Sequence, residues 1–199
     1  MKEGIRVLGV AESYTSGSDE SVLGGVVMRG DGRLDGFVFG SSTVGGTDVT
    51  DSVIGMYDRL DRDDIHAVMV GGIAVSWYNV VDLRRIEDET GVPALSVSFE
   101  EGGDLTDSIR DEFEGEEADE RIEVYERQPD RRRVEVDTEN ATTDVFVRSV
   151  GIDEEKADSV VRMLTTHGKR PEPVRIGRLV ARAADAWEGT DGDRETEEG

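Results

Sequence analysis

The stretch SVLGGVVMRGDGRLDGFVFGSSTV, residues 21–44, decides the fold class. Two apolar runs, 21–30 and 34–44, flank a DGR connection that leaves room only for a reversal of direction. Both are therefore strands of an antiparallel pair. Upstream, IRVLGVA (5–11) is a third strand, joined through the polar turn ESYTSGSDES, so the chain opens with an antiparallel meander. Downstream the pattern changes. GGTDVTDSVIGMYDRL repeats Val53, Ile54 and Tyr57 at helical spacing, with Asp48 or Thr50 placed to cap the helix. HAVMVGGI (66–73) is a buried strand, VVDLRRIEDETG (80–91) a helix stopped by glycine, and PALSVSF (93–99) another strand. Alternation of strand and helix calls for a parallel section of sheet.

Beyond residue 99 the expectations are one helix on the acidic surface of 100–121, a peripheral hairpin from RIEVYERQPDRRRVEV (121–136), and a short strand DVFVRSVG (144–151). Two helices follow, DEEKADSVVRMLTTHG (153–168) and PVRIGRLVARAADAW (173–187). Residues 1–187 form one domain, and the polar remainder, 188–199, reads as a disordered acidic tail. Three antiparallel strands followed by alternating helices and parallel strands give an α/β mixed sheet with the element order of the ribonuclease H-like fold.

Composition bounds the chemistry. A formal net charge of −23 on 199 residues keeps a surface hydrated where salt screens long-range repulsion, which points to a halophilic archaeal cytoplasm. Runs such as VLGGVVM (22–28) argue against disorder. Positive charge is almost all arginine; the lysines are Lys2, Lys156 and Lys169. With no cysteine there is no disulfide, thiolate metal site or thiol nucleophile, and the two histidines, His66 and His167, do not suit a zinc site. No apolar run approaches membrane-spanning length, and the N-terminus lacks a signal-peptide pattern, so a soluble, cytoplasmic protein is expected. The paired glycines at 24–25, 45–46 and 71–72 do not have dinucleotide-binding spacing, and there is no GxSxG elbow, so nicotinamide enzymes and serine hydrolases are set aside.

Three segments carry a resemblance: the end of the first strand, GGIAVSWYNVVDL (71–83), and TTHGKRPEPVRIGRLVARA (165–183). Together they resemble an archaeal family known as domain of unknown function 99, or endonuclease dU. The Pro-Glu-Pro-x-Arg block before a small-residue helix is also similar to endonuclease V, a magnesium-dependent repair nuclease of ribonuclease H-like fold acting near deaminated bases. The resemblance implies a single endonuclease V-like domain over 1–187. It implies DNA as partner, with uracil or hypoxanthine as the lesion, and Mg²⁺ or Mn²⁺ as cofactor.

Residue by residue, the fit is partial. Where endonuclease V has a metal-binding aspartate after its first strand, this chain has Ala11, followed by Glu12. Asp48 is the nearest match to the acid before the first helix, and Gly71 stands where a further aspartate ends the fourth strand. The family's histidine after the PEP arginine is replaced around Arg178. Glu12 and Asp48 are thus the candidate catalytic and metal-binding carboxylates. Glu12 could equally be a solvent-facing acid, and Asp48 a helix cap.

Pro171 and Pro173 fix the backbone around Glu172 at a helix start, which makes a rigid cap or a site corner. Arg175, Arg178 and Arg182 share one helix face; with Arg170 upstream they are candidates for phosphate contact or for pairing with surface acids. Trp77 and Tyr78 could stack on an extruded base and Asn79 bond its edge, or the aromatics could pack in the core. Two functions follow: metal-assisted cleavage of DNA near deaminated bases, or a non-cleaving nucleic-acid-binding protein whose metal site has decayed.

Overall fold

The computed structural model describes residues 4–15, 17–138 and 141–195, with side chains described to Glu188. Seven strands form one mixed sheet: β1 (Arg6–Ser13), β2 (Glu20–Arg29), β3 (Leu34–Thr43), β4 (Ala67–Gly71), β7 (Ala94–Ser98), β8 (Arg132–Asp137) and β9 (Thr142–Val150). Their spatial order is β3-β2-β1-β4-β7-β9-β8. β1, β2 and β3 are the expected antiparallel meander, and β1, β4 and β7 are parallel neighbours. This is the ribonuclease H-like arrangement read from the sequence.

The far edge departs from simple alternation. β9 runs antiparallel to both β7 and β8, so β8 itself points the same way as β7. A helical crossover does deliver a strand parallel to β7, as connection rules require. The hairpin then folds β9 back into the gap between them.

The stretch 121–136, expected as a hairpin, is half helix. α3 (Thr106–Glu112) and α4 (Glu116–Glu126) replace the single helix expected over 100–121: the extended backbone of Phe113 ends α3, and Gly115, at a φ of +58°, precedes α4. Ile122 and Val124 mimic strand alternation. Helical spacing wins because Ala118 and Ile122 pack together against Ile109 and Val80, with Tyr125 alongside.

Two apolar layers clothe the sheet. One face packs Leu8, Val10, Val68 and Val70 under α1 (Val49–Arg59) and α2 (Leu83–Thr90). The other packs Val7, Met69, Leu95 and Val97 under α5 (Glu154–Leu164) and the first turns of α6 (Glu172–Glu195). α6 crosses β1 and β2 at backbone contact. A Cβ at Gly9 would lie 2.5 Å from Pro173 Cβ, and one at Gly177 would lie 2.8 Å from the Gly24 carbonyl. Helix extension past Trp187 takes in part of the stretch expected as a tail, since lengthening an established helix costs little compared with starting one. Residues 196–199 of that stretch lie outside the described residues. Among the described residues no helix is long and apolar enough to cross a membrane.

Candidate nucleic-acid interface

A cleft of about 670 Å³ opens where the C-terminal ends of β1, β4 and β7 meet α6. Glu12, Gly71, Ser98, Arg170, Arg178 and Arg182 line it. Strand ends of a parallel section are where open α/β sheets place ligands, because the connecting loops diverge there.

Glu12 lies inside β1, opposite Leu23 of β2, and not in the turn beyond it. Its Oε2 accepts from the Ser76 backbone N–H at 2.7 Å and from the Ser76 hydroxyl at 2.6 Å. Among the described residues nothing donates to Oε1. Ser76 belongs to a miniature hairpin, β5 (Ala74–Val75) and β6 (Asn79–Val80), whose turn holds Ser76, Trp77 and Tyr78 at φ of +44°, +62° and +57°. Left-handed backbone costs a side-chain-bearing residue about 1–2 kcal/mol, so three in succession persist only under firm constraint. The constraint is visible. The Ser76 carbonyl accepts from Gly45 N–H at 2.7 Å, its hydroxyl joins the buried hydroxyls of Ser21 and Ser42, and Tyr78 packs edge-on against Phe113 at 6.4 Å. Ser76 lies in the 71–83 stretch, but no role for it was legible there; its turn conformation and its hydroxyl together make it the anchor of Glu12.

The arginines divide. Arg178 and Arg182 are exposed along the cleft wall, and among the described residues neither has a carboxylate within ion-pair distance. Arg170 lies over the Phe99 ring at 4.9 Å; burial and the neighbouring Arg178 charge both lower its pKa. Arg175, expected on the same phosphate-facing side, instead turns back onto Glu172, with Nη2 2.6 Å from Oε2. A one-turn spacing allowed both arrangements, and the half-buried Glu172 carboxylate beside it decided between them. Glu172 is therefore a partner for Arg175 at the start of α6, while Pro171 and Pro173 are buried beneath it. The Pro-Glu-Pro corner seats α6 on β1.

Asp48 and Asn79 need correction. The Asp48 carboxylate does not cap α1. It accepts from the Thr43 backbone N–H at 3.1 Å, the Thr43 hydroxyl at 2.8 Å and the Asn79 amide at 2.7 Å. Burial would raise its pKa, but the hydrogen bonds from Asn79 and Thr43 prevail and hold it below the ordinary value. Asn79 is fully buried; its amide donates to Asp48 and the Thr43 carbonyl, and its oxygen accepts from Val49 N–H. Its hydrogen-bonding capacity is thus met inside the protein, so a base edge has no call on it. Glu12 and Asp48 are bonded by residues on the two sides of the β5–β6 turn, Ser76 and Asn79.

Among the described residues no three His, Asp or Glu side chains converge on a cation position. Glu12 is bonded to Ser76, and Asp48 to Thr43 and Asn79. What fits is narrower: Glu12 can give one free carboxylate oxygen to a divalent ion whose other ligands are water and substrate phosphate, a common arrangement for Mg²⁺. The missing acids have a packing explanation. A Cβ at Gly71 would lie 2.7 Å from Val174 Cγ1, and Ala11 is buried beneath α6 beside Gly177.

Of the two aromatics, Trp77 is 55 % exposed, whereas Tyr78 is part of the apolar cluster with Phe113. The sequence profile described as endonuclease dU matches residues 3–185. The chain belongs to the endonuclease dU family. A relative within it, the UPF0215 protein of Pyrobaculum calidifontis, is 33 % identical over 178 residues, covering 87 % of this chain and 93 % of its own. A crystal structure of a protein of unknown function from Archaeoglobus fulgidus superposes with a TM-score of 0.77 at 26 % identity, covering 90 % of this chain and 98 % of that one. Endonuclease V of Ciona intestinalis, solved with a 24mer DNA containing an inosine followed by a ribo-adenosine, shares the fold with a TM-score of 0.55 at 12 % identity, covering 96 % and 86 %. This member of the endonuclease dU family thus shares the fold of endonuclease V, and among the described residues Glu12 and Glu100 are the acids that line its cleft.

Proposed function

We propose that this endonuclease dU family member cleaves DNA next to deaminated bases, uracil or hypoxanthine, using the cleft between the strand ends and α6. The observation that carries the reading is the presence, in one cleft, of the fixed Glu12 carboxylate and of the Arg178 and Arg182 guanidiniums, which have no ion-pair partner among the described residues. In a chain of net charge −23, arginines without acidic partners among the described residues, beside a carboxylate, suit a polyanion that needs both. Arg170, Arg178 and Arg182 bind successive phosphates and hold the strand across the mouth of the cleft. Ser76 fixes the Glu12 carboxylate so that its free oxygen faces the backbone there. Trp77, exposed on its strained turn, stacks against a base at the lesion, with Tyr78 behind it. Mg²⁺ or Mn²⁺, held by Glu12 together with substrate oxygens, would supply an activated water and charge stabilisation at the phosphodiester.

A second reading is favoured by the packing of α6 over Ala11 and Gly71, which closes the positions of two further acids. In it the cleft grips damaged DNA without cutting. Labelled duplexes containing uracil, hypoxanthine or only normal bases, incubated in molar KCl with Mg²⁺ or Mn²⁺, separate the two. Lesion-dependent cutting that is lost in Glu12→Gln supports the nuclease; binding without cutting supports the second reading. Absence of any binding removes both.

A further inference from the structure

A second, smaller cavity of about 270 Å³ lies on the opposite face of the sheet end and shares Gly72, Ser98 and Glu100 with the main cleft. Strand alternation sets its walls. Val97 of β7 and Val147 of β9 point to the α5–α6 side, so Ser96, Ser98, Phe146 and Arg148 point to the other, where the start of β8 adds Arg131.

Arg131 and Arg148 line the same recess, and burial, with the Arg148 charge second, lowers the pKa of Arg131. Among the described residues neither has a carboxylate within ion-pair distance. Asp104, the acid in electrostatic reach of Arg148, is tied to the Thr106 N–H and hydroxyl, and Glu101 acts on Arg131 only at longer range. Each guanidinium is instead fixed by neutral groups. Arg131 lies 4.0 Å over the Phe146 ring and donates to the carbonyls of Glu100 and Gly102; Arg148 donates to the Pro129 carbonyl and the Tyr125 hydroxyl. Arg131 Nε is buried without an acceptor among the described residues, and Ser96 and Ser98 line the recess.

Two like charges held together in a half-buried recess repel each other, and in a chain with twice as many acids as bases a neutralising carboxylate would be easily supplied. Glu100 lines the recess but meets Arg131 through its backbone carbonyl, so rigid guanidiniums with no carboxylate on them among the described residues define a site for an external anion. The volume is below the roughly 300–1,000 Å³ of drug-sized ligand pockets, which suits a single small anion. The faces of Phe146 and Tyr125 are already covered by the guanidiniums, so base stacking on them is not available.

From this geometry we infer that the Arg131–Arg148 recess is a phosphate-binding subsite, taking one phosphate of a nucleic-acid strand that passes over the sheet end from the Glu12 cleft. The strand rests on the proposed function, but phosphate binding in the recess does not require cleavage. Two sources share this chemistry, an internal phosphodiester and a terminal phosphomonoester.

The test uses the full chain with arginine Nε–Hε NMR signals, titrated in molar KCl with inorganic phosphate and then with one oligothymidylate bearing or lacking a 5′-phosphate. Phosphate should move the Arg131 and Arg148 signals, with Arg148→Gln weakening its binding about tenfold and Arg178→Gln/Arg182→Gln leaving it unchanged. A response to both oligonucleotides marks an internal phosphate, and a response only to the phosphorylated one marks a terminus. Unmoved Arg131 and Arg148 signals in the wild-type protein would overturn the subsite, whether or not the variants fold. Loss of oligonucleotide binding without loss of the inorganic phosphate response would count against the cleft function alone.

Discussion

Ser76 grips Glu12 with two donors, backbone N–H and hydroxyl, from a residue whose own φ is +44°. A carboxylate held at one oxygen and open at the other is oriented before any substrate arrives. The cost of the left-handed turn falls on the scaffold and not on the binding step.

Removing the Ser76 hydroxyl should loosen Glu12 without emptying the cleft. We expect Ser76→Ala to lower kcat about tenfold with KM little changed, as when transition-state positioning is lost, while Glu12→Gln removes cutting and keeps DNA binding. Single-turnover kinetics on a uracil-containing duplex, alongside a binding titration, measures both. An equal loss of affinity in Ser76→Ala would show the turn serving binding instead.

The split among the arginines gives a salt-dependence experiment. Arg178→Gln and Arg182→Gln should each flatten the slope of log affinity against log salt by roughly 0.7–0.9, the share of one phosphate contact. Arg175→Gln should leave the slope unchanged and cost at most about 1 kcal/mol of stability, because its partner is Glu172 and the pair is partly exposed. Affinity series from about 0.5 to 3 M KCl, outside the low-salt range of the usual slope values, would compare the three variants side by side.

Restoring an acid at the end of β4 should damage the fold. In Gly71→Asp the new Cβ would press on Val174, and we expect a loss of about 1–3 kcal/mol from this overpacking. Gly71→Asp combined with Val174→Ala should recover part of it. Denaturant unfolding in molar KCl reads both, and full stability of the single variant would show that α6 can lift off the sheet.

Asp48 predicts a pH effect. Its carboxyl pKa is lower in the folded chain than in the unfolded one, through Asn79 and Thr43. Its contribution is thus fully present above the unfolded value of about 3.9 and is lost as pH falls through the lower folded value. Asp48→Asn should therefore destabilise the protein at pH 7 and make little difference at about pH 2. Melting temperatures across that range follow the difference, and a pH-independent deficit would assign the loss to hydrogen-bond geometry and not to charge.

What the sequence determined by itself was set by local pattern. The DGR reversal, the β-periodic runs and the glycine stop at Gly91 fixed the meander, the parallel section and their order, because short connections leave few topologies. The charge pattern marked Arg170, Arg175, Arg178 and Arg182 alike, and the family resemblance pointed to Glu12. Tertiary structure decided what depended on residues distant in sequence. Asp48 and Asn79 bond each other across 31 positions, Arg175 chose Glu172 over the cleft, and Ser76 reached Glu12 across 64. Arg131 and Arg148 became neighbours through the β8–β9 register, which pairs Arg132 with Val147. A side chain's partner depends on which groups the assembled sheet brings within about 3 Å, and no periodicity along the chain encodes that.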